Sequence, residues 1–200
     1  MAGQNPPRAW QRMLSGRRLD LLNPSPIDIE IEDIAHGLAR VARWNGQTLG
    51  QHAFSVAQHS LLVTDIAAHL NPTFSNMELR AALLHDAPEY VVGDLISPFK
   101  SALGIDYKAF EIKLLEAIHQ RFEISALSEN ITAAIKNADR VAAYYEATRL
   151  AGFEVSEAEI YFAHHSIPND LSAKLDTLTP WPSHQAQSLF IERFRTLAAA

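Results

Sequence analysis

The side chains most able to do chemistry stand close together in LLHDAPEYVVGD, residues 83–94. His85 and Asp86 are adjacent at the end of an apolar run, and Glu89 follows four residues after the histidine. Helical spacing brings these three side chains to the border of one cavity, and Asp94 follows at a Gly-Asp turn. Because unpaired buried charges are costly, such a cluster needs polar partners or a metal ion.

Two more residues carry polar groups into apolar helical stretches. His59 lies within SVAQHSLLV, and Asp139 lies inside a long helical pattern. Either residue alone is better explained as a hydrogen-bonded structural group. Together with His85 and Asp86 they would form a nitrogen and oxygen site that suits Mn, Co, Fe or Zn and is too rich in nitrogen for a calcium cage. The chain has no cysteine, which excludes thiolate zinc sites and disulfides.

Helices must position these residues, because apolar residues recur at helical spacing and alternating β patterns are scarce. Pro88 lacks an N–H group, so the helix that carries His85 is expected to kink or end there and to leave Glu89 beside open space. We predict a single-domain, all-α fold with an irregular N-terminal segment, residues 1–26, and a helical domain, residues 27–200. The predicted helices cover residues 31–43, 53–70, 76 onward from an Asn76 cap, 106–122, 128–151, 157–165 and 184–198.

Composition limits the function classes. The 200-residue chain has a net charge of −6 and a pI near 5.8. This argues against a nucleic-acid polymer as partner, since such a protein needs a basic surface. No apolar run approaches the ~20 residues of a membrane span, and the N-terminus lacks a secretory signal, so we predict a cytoplasmic protein. A small anionic substrate is compatible with this charge.

The order of His59, then His85-Asp86, then Asp139 resembles the HD-domain metal-dependent phosphohydrolase superfamily. Four ordered blocks are similar to the bacterial 5′-deoxynucleotidase family: ARWNG (42–46), SVAQHSLLV (55–63), LLHDAPEYVVGDLISPFK (83–100) and KNADRVAAYYEA (136–147). This resemblance implies a helical HD-domain fold and a phosphomonoesterase acting on (deoxy)nucleoside 5′-monophosphates. It also implies one divalent metal ion (Co, Mn, Zn, Fe or Mg) bound by His59, His85, Asp86 and Asp139.

The same resemblance assigns roles around the metal. Glu89 matches the acid that orients the attacking water, and Asp94 matches the acid that protonates the departing sugar oxygen. Arg43 matches a phosphate-orienting arginine, and Trp44 a residue that packs on the sugar and disfavours a 2′-hydroxyl. Ser97 lies in the loop that runs along the substrate. Judged without the resemblance, Arg43 and Trp44 are equally well explained as a helix-terminal arginine and a core tryptophan.

Two other functions fit the same residues. One is a nucleotide pyrophosphohydrolase or phosphodiesterase, and the other is a non-catalytic HD module that senses a nucleotide. Glu89 and Asp94 argue against the second, because a binding module needs neither acid. The loop reads Gly-Asp-Leu-Ile-Ser-Pro where the family usually has Pro-Thr after the leucine, which leaves the substrate open. The resemblance also implies a homodimer, for which the amphipathic terminal helices could supply the interface.

Overall fold

The computed structural model describes residues 9–94, 105–162 and 167–199. Within these ranges the chain forms nine α-helices and one short two-stranded sheet, which confirms the all-α fold. The helices are α1 (Ile31–Leu38), α2 (Val56–Leu70), α3 (Asn76–Leu83), α4 (Glu89–Val92), α5 (Ile105–Arg121), α6 (Glu129–Arg149), α7 (Val155–Phe162), α8 (Asn169–Asp176) and α9 (Ser183–Ala198).

Helix α2 forms the centre of the fold and packs against α1, α3, α6 and α9. Residues on every side of this helix are buried, as expected for a helix surrounded by others. The Ser55 side chain accepts a hydrogen bond from the backbone N–H of Gln58 and so caps its first turn. His59 is therefore carried into the core one turn after a well-defined helix start.

Helix α1 ends at Leu38, whereas the sequence pattern predicted a helix to residue 43. The chain instead leaves the helix, Ala42 pairs with Ser55 in an extended conformation, and Arg43–Gly46 form a 3₁₀ helix. The Arg43 N–H donates to the carbonyl oxygen of Phe54 at 2.8 Å. This pairing outside the helix places Arg43 beside the start of α2.

A break near Pro88 is confirmed, but it begins earlier than predicted, so that His85 and Asp86 lie in a turn and not on the helix. Helix α3 ends at Leu83, turns cover residues 84–88, and α4 begins at Glu89. The expectation that Glu89 borders open space is wrong, since only 3% of its surface is exposed. Gly37 helps to explain why: a Cβ there would lie 2.8 Å from Tyr90 Cβ, so the missing side chain lets α4 pack closely on α1.

The cap of α3 also differs from the sequence prediction. Ser75, not Asn76, caps this helix, and it forms a reciprocal capping box with Glu78. The Ser75 hydroxyl accepts from the Glu78 N–H, while the Glu78 carboxylate accepts from the Ser75 backbone N–H. By contrast, the cap predicted at Ser128 for α6 is confirmed.

The described part of the N-terminal segment contains a hairpin where we expected irregular chain. Strands β1 (Trp10–Arg12) and β2 (Arg18–Asp20) pair antiparallel. Ser15, in the connecting turn, donates from its N–H and its hydroxyl to the Asp33 carboxylate on α1. These tertiary contacts fix strands of three residues that have no clear sequence signal. The division into residues 1–26 and 27–200 stays a prediction.

The C-terminal helices pack on the same core. Helix α8 was not predicted; Leu171 and Leu175, four residues apart, are its buried side chains. Helix α9 contacts α1, α2 and α3 and buries one apolar face, made of Ala186, Phe190, Phe194 and Leu197. That face is occupied within the chain, so this terminal helix does not offer it as the interface suggested by the sequence. Across the described residues, no helix has the length and apolar character to cross a membrane.

Candidate metal centre

Three of the four predicted metal ligands meet in one cluster. His59 comes from α2, while His85 and Asp86 come from the turn after α3. Potential ligand atoms of these three residues all lie within 4.8 Å of one another. Asp86 Oδ2 lies 3.4 Å from His59 Nε2 and 3.2 Å from His85 Nε2. The contact between α2 and α3 thus brings together residues 26 positions apart.

Asp139 joins this cluster from α6. Its Oδ1 lies 3.3 Å from His59 Nε2, on a helix that packs directly against α2. The side chains of Asp139 and Asp86 are 29% and 25% exposed, whereas that of His59 is fully buried. The carboxylates therefore border the accessible side of the cluster, where a small ligand could reach them.

The hydrogen bonds of the two histidines leave the correct nitrogen atoms for a metal. His85 Nδ1 must donate to the Ala82 carbonyl oxygen at 2.8 Å, because a carbonyl can only accept. His59 Nδ1 lies 2.6 Å from Glu146 Oε1 and donates to that carboxylate. In the described parts of the chain, neither buried Nε2 atom has a hydrogen-bond partner. A divalent cation would fit this pattern, since metal-bound histidines usually donate their second ring nitrogen to such acceptors.

The charges around His59 favour a cation. Burial and the Arg43 guanidinium lower the pKa of His59, but the neighbouring carboxylates outweigh both and raise it well above its usual range. Burial raises the pKa of Asp86, but the imidazoles of His85 and His59 together have the larger effect and lower it to well below its usual range. The Asp86 carboxylate is thus ionised at neutral pH, as a carboxylate metal ligand must be.

We refer to the four predicted metal ligands, His59, His85, Asp86 and Asp139, as the metal cluster. Arg43 lies beside these side chains and adds a positive charge. Its Nη1 is 3.6 Å from Asp86 Oδ2 and 4.0 Å from Asp94 Oδ2, and its side chain is 12% exposed. Burial lowers the pKa of Arg43, but the carboxylates around it raise that pKa above its ordinary value, so the guanidinium stays charged. Arg43 and Asp94, two predicted substrate-binding residues, are therefore close to each other and to the metal cluster.

Trp44 stands in an unusual backbone conformation. Trp44 (φ 55°, ψ 28°) and Asn45 (φ 51°, ψ 30°) are both left-handed, and Gly46 follows at φ 74°. For residues other than glycine this conformation costs roughly 1–3 kcal/mol, and such strain is concentrated at functional sites. The indole ring lies 5.6 Å from the Phe153 ring and 5.6 Å from the Phe162 ring, centroid to centroid. We refer to Arg43 and Trp44 as the substrate corner.

Glu146 is the site residue that the sequence reasoning missed. It is fully buried, and it accepts hydrogen bonds from His59, Arg43 and Trp44. Burial raises the pKa of Glu146, but Arg43 and His59 lower it to about 2. Glu146 follows Asp139 by seven residues, which is two helical turns on the same face of α6. That spacing was the available signal.

The remaining predicted residues are placed less completely. Glu89 begins α4 and is buried, three positions after Asp86 along the chain. Ser97, predicted to contact substrate, lies outside the described residues. The structure therefore brings together His59, His85, Asp86, Asp139, Arg43, Trp44 and Asp94.

Comparisons with known proteins place this chain among related sequences. The family model described as 5′-deoxynucleotidase YfbR-like matches residues 33–178, a range that includes every predicted site residue. An uncharacterized protein of Rhodobacter capsulatus is 59% identical to this chain over 156 residues. The aligned part covers 78% of this chain and 80% of that relative.

Proposed function

The chain belongs to the YfbR-like 5′-deoxynucleotidase family of the HD-domain superfamily and is a metal-dependent phosphohydrolase, and we propose that it releases orthophosphate from deoxynucleoside 5′-monophosphates. The proposed centre holds one divalent ion through His59, His85, Asp86 and Asp139. Co, Mn, Zn, Fe and Mg are the candidate ions.

The observation that carries this proposal is the position of Arg43 next to the metal cluster. A guanidinium whose Nη1 lies 3.6 Å from a proposed metal ligand can bind the phosphate of a substrate while the metal neutralises further phosphate charge. Phosphoryl transfer depends mainly on positioning and electrostatic stabilisation. A cation site with an adjacent fixed arginine is suited to this reaction.

The proposed reaction divides the work among the residues of the site. A bound divalent ion would lower the pKa of water and neutralise charge on the phosphate. Glu89 accepts a proton as the water oxygen bonds to phosphorus, and the bond between phosphorus and the sugar oxygen breaks. Asp94, which must carry a proton for this step, donates it to the departing sugar oxygen. Orthophosphate and a nucleoside are the products.

Substrate recognition is assigned to the substrate corner and to two further residues, Asp94 and Ser97. Arg43 orients the phosphate, and Trp44 packs on the sugar where a 2′-hydroxyl would be disfavoured. The aromatic contacts of Trp44 with Phe153 and Phe162 support a fixed position for its ring. Asp94 and Ser97 are proposed to line the same substrate.

A phosphate-release assay tests this function. We expect orthophosphate from deoxynucleoside 5′-monophosphates, slower release from the matched ribonucleotides, and activity that is lost after dialysis against a chelator. Adding back Co, Mn, Zn, Fe or Mg one at a time should restore activity and identify the most effective ion.

The alternatives give different products. Release of pyrophosphate from triphosphates, or cleavage of diesters without monophosphatase activity, would replace the proposal with a pyrophosphohydrolase or phosphodiesterase. Nucleotide binding without any hydrolysis under all metal conditions would indicate a sensing module. Either result would contradict the proposed monophosphatase.

We also propose that the enzyme is cytoplasmic and that it is a homodimer, the latter as its family resemblance implies. Exposed apolar side chains on α7, namely Val155, Ile160 and Tyr161, are compatible with a surface that contacts another copy. Sedimentation equilibrium should give twice the chain mass of 22.2 kDa. A mass of one chain at all concentrations tested would contradict the dimer.

A further inference from the structure

Glu146 lies between the metal cluster and the substrate corner and contacts both. Its Oε1 accepts from His59 Nδ1 at 2.6 Å. Its Oε2 accepts from Arg43 Nε at 2.9 Å and from Trp44 Nε1 at 3.0 Å. No part of the residue is exposed to solvent. One buried carboxylate thus uses one oxygen for each half of the site.

We propose that Glu146 is a positioning residue that fixes the metal ligand His59 and the substrate corner relative to each other. The inference rests on the proposed function, because it assigns a task to a residue behind the proposed metal ligand. Glu146 itself does not touch the metal or the phosphate. It acts through the orientation of His59 on one side and of Arg43 and Trp44 on the other.

The chemistry of the three donors explains why a carboxylate is required. Each of them can only donate toward Glu146. His59 donates from Nδ1–H because its Nε2 must stay free of hydrogen to bind the metal. Arg43 and Trp44 donate because their N–H groups cannot accept a hydrogen bond. A carboxylate offers acceptors at both oxygens, whereas the glutamine amide offers one oxygen and one NH₂ group. Glutamine at this position can therefore satisfy only one half of the site.

Each orientation of a glutamine amide has its own consequence. With the NH₂ toward His59, Nδ1 must accept, and the hydrogen moves to Nε2, where it blocks the metal. With the NH₂ toward the substrate corner, Arg43 and Trp44 lose their acceptor, and the strained backbone at residues 44 and 45 loses a restraint. Substitution therefore weakens metal binding, phosphate binding or both.

The test uses Glu146→Gln and two binding measurements on the full chain. We expect the dissociation constant for Co²⁺ alone, titrated into chelator-treated protein, to rise about 10- to 100-fold, as seen when a partner of a metal-bound histidine is removed. At saturating Co²⁺, we also expect the dissociation constant for inorganic phosphate to rise at least about 5-fold, because a charge-assisted hydrogen bond contributes about 1 kcal/mol or more. If the substitution weakened only metal binding, saturating Co²⁺ would restore the wild-type dissociation constant for phosphate.

Glu30→Gln is the matched control. Like Glu146, Glu30 accepts hydrogen bonds from positively charged side chains. Its donors are Arg17 and Arg121, which lie outside the metal centre. This variant removes the same charge from an ion pair network that is more exposed to solvent than that of Glu146. We expect its Co²⁺ and phosphate dissociation constants to stay within about twofold of the wild type, because exposed ion pairs contribute little.

The outcomes separate this inference from the proposed function. A folded Glu146→Gln protein with wild-type affinity both for Co²⁺ and for phosphate at saturating Co²⁺ would overturn the linking role, whereas loss of either affinity supports it, because a glutamine satisfies only one half of the site. If Glu146→Gln does not fold, the same measurements are made on Glu146→Asp, which retains the charge. If neither variant folds, the role of Glu146 is purely structural and the proposal fails. If the wild type binds Co²⁺ and phosphate but hydrolyses no nucleotide, the proposed function fails while these affinities still decide the role of Glu146.

Discussion

Asp86→Ala is expected to abolish both tight metal binding and orthophosphate release. Asp86 Oδ2 lies within 3.6 Å of His59, His85 and Arg43, so this one oxygen contacts both imidazoles and the guanidinium proposed to bind phosphate. Loss of metal-derived stabilisation of several kcal/mol corresponds to a fall in kcat/KM of about 10³-fold or more. Metal content by elemental analysis and phosphate release should fall together.

Asp65→Ala is the matched control for this substitution. The Asp65 side chain is 52% exposed and pairs with Arg193 on the surface. Its removal should leave metal content and kcat/KM unchanged, since exposed ion pairs contribute about 0–1 kcal/mol. If Asp86→Ala retains wild-type metal content and activity, the metal centre has been assigned to the wrong residues.

Arg43→Ala is expected to impair both stability and catalysis. The guanidinium compensates the fully buried Glu146, to which its Nε donates at 2.9 Å, and removing one partner of a buried pair typically costs about 3–5 kcal/mol. The loss of a fixed cation at the phosphate should also lower kcat about 10²- to 10³-fold. Urea denaturation and phosphate-release kinetics measure the two effects separately.

The surface arginine Arg17 provides the comparison. Its side chain is 47% exposed and pairs with Glu30 at 2.7 Å, so Arg17→Ala should change the free energy of unfolding by about 0–1 kcal/mol. It should leave kcat unchanged. Equal losses of stability for the two arginine variants would show that Arg43 is not a buried counter-ion, and full activity of Arg43→Ala would show that it is not a phosphate ligand.

The cluster of proposed metal ligands was predictable because its signal is local and the order of its residues along the chain is distinctive. His59 and Asp139 are polar residues within apolar helical patterns, and His85-Asp86 precedes a proline, which cannot continue a helix. Each of these features follows from helical periodicity or backbone chemistry. The resemblance then supplied what spacing alone cannot, namely which distant segments meet.

The substrate corner was less predictable because tertiary contacts determine its backbone. The periodic pattern predicted helix to residue 43, but Ala42 is extended, where it pairs with Ser55, and a 3₁₀ helix begins at Arg43. The left-handed conformation of Trp44 is maintained by contacts from other helices, with Glu146 on α6 and Phe162 on α7. No local propensity indicates such a conformation for tryptophan.

Glu146 was missed because its immediate neighbours look like ordinary core. The sequence AAYYEA places one acid among small and aromatic residues, and a single acid in a helix is usually solvent-exposed. Only its two-turn spacing from Asp139 indicates that it faces the same interior. Its burial becomes understandable once Arg43 and His59 are known to donate to it.

The most direct test of the account is a titration of chelator-treated protein with Co²⁺ or Mn²⁺, following orthophosphate release from a deoxynucleoside 5′-monophosphate. We expect that activity appears on metal addition and saturates at one equivalent per chain, and that Asp86→Ala stays inactive throughout. Phosphate release that is independent of added metal, or equal activity of Asp86→Ala, would contradict a single-metal phosphomonoesterase centre at His59, His85, Asp86 and Asp139.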